Sequence, residues 1–183
     1  DGTPRSAEAA TYGLVLALTA AGRPDQASLE LDGIWSASPD RIEYIIADAE
    51  IDLARNQPGK AVKKLAARLK LSPGNHALTM AYADALMQQG QAHMAEEVLV
   101  AQSKLTPNDP GLWYLLAEVQ GLSGNIIGLH QARAEFFILN GALDQAEKQL
   151  NYALKLSKSD YQTTAKINQR LQDIAEMRAQ MDF

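Results

Sequence analysis

The chain has 183 residues, 46% hydrophobic and 6% aromatic, with 22 acidic side chains against 17 Lys and Arg and a formal charge of −5. This composition excludes disorder and a fibre, and the shortage of bases excludes a general nucleic-acid binder, which needs Lys and Arg to replace phosphate counterions. The absence of Cys excludes a disulfide framework, a zinc ribbon and a cysteine nucleophile, while leaving the compartment open. No apolar run approaches the ~20 residues of a membrane span. The chain opens Asp1-Gly2-Thr3-Pro4 without a Met, which reads as a fragment or a processed product.

Ala is abundant, Leu nearly so, and Val and the aromatics are sparse, which favours helices over strands. The first helix carries Leu14 and Leu18 at helical spacing and stops near Gly22, and the second begins at Pro24. From there the punctuation recurs every 34 residues. Gly22, Asn56, Gly90 and Gly124 form one series, Pro39, Pro73 and Pro107 a second, and Pro24 and Pro58 a third. Ala27, Ala61 and Ala95 keep the same step, as do Leu31, Leu65 and Leu99.

A 34-residue period resembles the tetratricopeptide repeat, a two-helix unit that stacks into a solenoid. Repeats are expected at 8–41, 42–75 and 76–109, with an irregular one at 110–141. Each repeated residue has a mechanical reason. Gly or Asn takes the left-handed conformation that stops the first helix, and Pro presets the first turn of the next. Pro39, Pro73 and Pro107 close the second helices by pushing Ser38, Ser72 and Thr106 out of α space. Small residues, Ala49, Ala83 and Ala117 in first helices and Ala27, Ala61 and Ala95 in second ones, let paired backbones approach, and Leu31, Leu65 and Leu99 fill the space beyond.

After Gly124 the second-helix slots hold Leu129 and Arg133 instead of Ala and Leu. Gly141 follows by half a period, with Ala146 and Leu150 at the usual offsets. The helix near 126–139 is therefore expected to serve two units, the second overlapping at 127–158. A capping helix over about 161–180, with Ile167, Leu171 and Ile174 on one stripe, covers the last apolar face. The expected fold is all-α, a right-handed solenoid of about ten helices in a single domain, 1–183. Asp48 and Asp52 occupy first-helix positions that are usually apolar, so either that helix is rotated or the acids find basic partners.

Catalytic patterns are missing. His76, His93 and His130 have no metal-site spacing, and no H-E-x-x-H occurs. His93 and Glu97 read as a surface pair and His130 as a hydrogen-bonded packing residue. Gly59-Lys60 lacks the glycines of a phosphate loop, and Ser123 is one residue short of a nucleophile elbow. No catalytic, cofactor-binding or metal-binding residue is assigned. Lys60, Lys63, Lys64, Arg68 and Lys70 read as a solvated outer face. The register places Tyr12, Ile46, Glu50, Met80, Asp84, Met87, Tyr114, Glu118 and Glu135 on the inner groove, where aromatics and Met give adaptable contact and carboxylates attract basic segments. The second repeat sets Glu43, Asp48, Glu50 and Asp52 on its first helix against five bases on its second, which predicts an acidic groove and a basic back.

The stretch Asp109-Pro110-Gly111-Leu112-Trp113-Tyr114-Leu115-Leu116-Ala117-Glu118, then Gly121-Leu122-Ser123-Gly124-Asn125-Ile126 and His130-Gln131-Ala132-Arg133-Ala134-Glu135-Phe136-Phe137, resembles the C-terminal half of bacterial zinc metalloproteases of the β-barrel assembly-enhancing type. Leu139-Asn140-Gly141, Gln149-Leu150, Asp160-Tyr161-Gln162 and Ala165-Lys166-Ile167 continue the likeness. The resemblance implies a periplasmic protein whose repeat domain recruits outer-membrane protein clients or their assembly machinery to an attached protease. The alternative implied role is a domain that packs on its own protease domain and gates it. The family's H-E-x-x-H has no counterpart in this chain, so no catalytic residue carries over.

Overall fold

The computed structural model describes residues 4–36 and 38–181. Among the described residues ten helices account for the secondary structure: α1 (Pro4–Ala20), α2 (Pro24–Trp35), α3 (Ile42–Ala54), α4 (Pro58–Leu71), α5 (His76–Gln88), α6 (Ala92–Ser103), α7 (Pro110–Ser123), α8 (Ile126–Leu139), α9 (Leu143–Leu156) and α10 (Tyr161–Met181). No strand occurs among them. The fold is all-α, as expected, and the chain forms two compact units, 1–91 with α1 to α5 and 92–183 with α6 to α10.

The expected stops are stops for the expected reason. Gly22, Asn56, Gly90, Gly124 and Gly141 all have positive φ, from +57° at Asn56 to +82° at Gly124. At Gly22 the Arg23 amide donates back to the Leu18 carbonyl at 2.9 Å, and Gln57 to Asp52, Gln91 to Leu86 and Ala142 to Phe137 repeat that bond at 2.8 Å. Each closes a Schellman turn over carbonyls the helix leaves unpaired. The second prolines act less directly. Ser72 before Pro73 is indeed out of α space, but α2 and α6 end at Trp35 and Ser103, four residues ahead of Pro39 and Pro107.

In the first unit successive helices pack, and α3 also touches α1 and α5. Val15, Leu18, Ala27, Leu31 and Ile34 form one cluster with Tyr44, Ala47 and Ile51 of α3. Ala49 of the same helix belongs to a second cluster with Ala61, Leu65, Leu78 and Ala85, flanked by Ile42, Ile46 and Leu53. So α3 has two apolar stripes. The stripe Ile42, Ile46, Ala49, Leu53 seen in the sequence faces α4 and α5, while Tyr44, Ala47 and Ile51, three and four apart, face α1 and α2.

In the second unit packing runs between successive helices. Ala134 joins Leu143, Ala146, Leu150 and Ala153 of α9 and Ile167 and Ile174 of α10, so the capping stripe is buried as expected. The exception at Leu129 and Arg133 has a geometric cause. Gly128 and Ala132 are buried instead, each one residue earlier than the repeat slots. A one-residue shift turns the helix by ~100°. A Cβ on Gly128 would stand 2.5 Å from Gln120 Nε2 and 2.6 Å from Asn125 Nδ2, so a side chain there would collide with α7 and with the helix cap. That neighbourhood is organised by Glu96, which accepts from Gln120 at 3.3 Å, Ser123 at 2.6 Å and Asn125 at 2.5 Å. Burial opposes the Glu96 charge, but these donors outweigh it and hold its pKa below the usual carboxylate value.

Candidate functional site

The acids of α3 are sorted by face. The Lys64 ammonium of α4 lies 2.5 Å from Asp48 and 2.6 Å from Asp52, whose side chain is 5% exposed. Burial disfavours the Lys64 charge, yet the two carboxylates prevail and raise its pKa. Asp48 and Asp52 have therefore found a basic partner on α4. Arg68 is also engaged, donating to the Asp40 carbonyl at 2.8 Å and lying 3.6 Å from its carboxylate. The five bases of α4 are thus not one solvated face, because two of them tie α4 to its neighbours. Lys60, Lys63 and Lys70 remain exposed.

Glu50 lies two residues from both Asp48 and Asp52, about 200° around the helix from each. With Ile46, Ala49 and Leu53 of α3, Leu65 of α4, and Ala77, Met80, Ala81 and Asp84 of α5, it lines a depression of about 280 Å³. Loss of water around the Glu50 carboxyl, then the Asp84 charge, raises its pKa. Burial and then the Glu50 and Glu43 charges do the same for the Tyr12 hydroxyl, which donates to the Glu43 carbonyl at 3.4 Å. Tyr12, Glu50 and Asp84 thus feel one another in sequence across α1, α3 and α5. Met87 is half-buried in the last turn of α5 and does not line the depression.

In the second unit Tyr114, Ala117 and Glu118 of α7, Arg133, Phe136 and Phe137 of α8 and Gln149 of α9 line a depression of about 350 Å³. Tyr114, 61% exposed, packs against Phe136 with ring centroids 5.7 Å apart and planes inclined by 58°. Glu135, adjacent in sequence, turns to α10, where Arg170 grips it through two bonds of 2.8 and 2.6 Å. It is a strut to the capping helix. His130 Nδ1 is 2.8 Å from Gln149 Oε1, as a packing residue should be. The sequence reading placed no function on Arg133, Phe136, Phe137 or Gln149. The small pair Gly128 and Ala132, four apart, was the available clue that α8 is rotated and presents them.

A tetratricopeptide-repeat family profile matches residues 52–119. Solved structures agree in fold: MamA of Desulfovibrio magneticus RS-1 (TM-score 0.60, 16% identity, 97% of this chain and 98% of that one) and a thermophilic tetratricopeptide-repeat protein of Thermus thermophilus (TM-score 0.57, 19% identity, 90% and 98%). The chain has the all-α fold of tetratricopeptide-repeat proteins, and its residues 52–119 carry the repeat pattern itself. It is similar to the repeat region of β-barrel assembly-enhancing proteases, with 29% identity to that of Escherichia coli K12 over 96% of this chain and 31% to that of Yersinia pestis over 79%. It spans 36% and 30% of the length of those relatives. No helix among the described residues is long and apolar enough to cross a membrane.

Proposed function

We propose that the chain is a polypeptide-binding module that brings outer-membrane protein clients, or their assembly machinery, to an attached zinc metalloprotease in the periplasm. Catalysis lies with that protease part, and the ten helices act as one repeat domain. The observation that carries the reading is the presence of one depression in each unit. One combines Met80 with the carboxylates of Glu50 and Asp84 and the other combines Tyr114 with Phe136, surfaces that hold varied segments by adaptable apolar contact. Similarity to assembly-enhancing proteases supplies the client class. A photo-crosslinker at Met80 or Tyr114 of the full-length protein should capture an unfolded outer-membrane β-barrel polypeptide, and one at Lys63 should not. Capture at Lys63 alone overturns the reading.

A second reading has this domain packing on and gating its own protease domain. Leu29 and Leu14, 72% and 45% exposed on the first helix pair, favour it. Removing the domain would then raise protease activity on a small unstructured peptide, which simple recruitment would not.

A further inference from the structure

In the first unit several acids are matched with bases. Asp25 meets Arg55 at 2.9 Å, Glu8 meets Arg41 at 3.1 Å, and Asp48 and Asp52 share Lys64. Glu50 and Asp84 are different. Their depression is lined by no Lys or Arg, and the side-chain partner of Asp84 is the Gln88 amide at 2.9 Å. Two like charges share the depression with the apolar side chains of Ile46, Leu53 and Met80. Such an arrangement is unfavourable by itself, because like charges lining one small apolar depression repel each other, and a cation placed between them relieves that cost. The space, about 280 Å³, falls short of the ~300–1,000 Å³ of small-molecule sites and suits one long side chain.

We propose that this depression receives a cationic side chain, Lys or Arg, from an extended partner polypeptide, with its aliphatic stem along Ile46, Leu53 and Met80 and its charge between Glu50 and Asp84. Long basic side chains divide themselves in this way between an apolar wall and a polar end, and the Met80 thioether adapts to the stem. The inference rests on the polypeptide-binding reading and adds the chemistry of the residue that is held. It also separates the two depressions. That of the second unit sets one acid, Glu118, against the exposed Arg133 among aromatic rings, so it carries no excess of negative charge.

The test is a methyl NMR titration of the labelled chain with the peptide Ser-Gly-Ser-Leu-Lys-Leu-Ser-Gly-Ser and with the same peptide carrying norleucine for Lys. The Lys peptide should shift the Met80 and Ile46 methyls saturably and bind about tenfold more tightly than the norleucine peptide at low salt, the difference shrinking as salt rises. Glu50→Gln with Asp84→Asn should erase that preference. Glu50→Lys with Asp84→Lys should transfer it to a peptide carrying Glu in place of Lys. Equal affinity for the two peptides, or a preference that survives the double neutralisation, overturns the inference. If an unfolded outer-membrane polypeptide still binds without such a preference, the proposed function stands alone. If neither the peptides nor that polypeptide bind, both are overturned.

Discussion

Replacing Lys64 by Met removes the cation that Asp48 and Asp52 share while keeping most of the stem's packing. The consequence falls on Asp52, 5% exposed and 2.6 Å from the ammonium. Breaking a fully buried pair costs about 3–5 kcal/mol. Lys64 is 35% and Asp48 30% exposed, so water screens part of the loss, and about 2–3 kcal/mol is expected. Urea unfolding followed by Trp35 fluorescence in a Trp113→Phe background isolates the first unit. Adding Asp52→Asn to Lys64→Met should recover much of the loss, because the amide leaves no uncompensated charge. The pH dependence has a definite sign. The folded Lys64 pKa is raised, so its contribution is fully present below the ordinary Lys value of ~10.4 and disappears as pH climbs through the higher folded value. Lys64→Met should lack that alkaline dependence. A loss under ~0.5 kcal/mol, the scatter of surface substitutions, or a double variant no more stable than the single one, refutes the account.

Gly128→Ala should destabilise the second unit by about 1–2 kcal/mol despite Ala's better helix propensity, since its Cβ displaces Gln120 and Asn125. Gly121→Ala, which meets only the flexible end of Leu129 at 3.0 Å, should cost less in the same thermal melt. Asn56→Ala should cost about 1–2 kcal/mol because a Cβ-bearing residue without Asn's local hydrogen bonding must hold φ +57°, whereas Asn56→Gly should be tolerated. Glu50→Gln should raise stability at neutral pH, and the gain should fade as pH falls through the raised folded pKa and vanish below the ordinary carboxylate value, where the carboxyl is protonated in the folded and unfolded chain alike, as a denaturation series against pH will show. Neutralising Glu50, Asp84 and Glu118 together should slow client association in a stopped-flow assay more than it speeds dissociation. Lys60, Lys63 and Lys70 are the proper control for that assay, since Lys64 and Arg68 hold the fold.

The helix stops were legible because a left-handed residue is a local requirement and the 34-residue period displays it repeatedly. Gly74, at φ +74°, escaped notice because Asp40 and Asn108 occupy the matching places in the neighbouring repeats. The partner of Asp48 and Asp52 could not be read, since it depends on how α4 is rotated against α3, which no spacing within either helix records. For the same reason the repeat spacing points to Glu50 and Asp84, and to Tyr114 and Glu118, but not to Arg133, Phe136, Phe137 or Gln149, which complete the second depression. Regular repeats carry their register with them, whereas a one-residue shift in α8 moves Arg133 from an anticipated buried slot to an open edge.

Both depressions follow from how much of each helix is committed to packing. Residues Tyr44, Ala47 and Ile51 bind α3 to one pair of helices, Ala49 and its flanking apolar residues bind it to another, and Asp48 and Asp52 are pinned by Lys64. Glu50 occupies a strip of the surface that none of these contacts uses. In α8, Gly128 meets α7, while Ala134, with Ile127, Phe137 and Ile138, meets α9 and α10. Phe136 and Arg133 border the strip left between those two sets. A repeat helix held from both sides can vary in sequence only along such a strip without cost to the stack, so the chemistry of recognition is confined there. Two acids occupy it in the first unit, and aromatic rings with one acid, Glu118, and one cation, Arg133, in the second, which gives one fold two surfaces of different character.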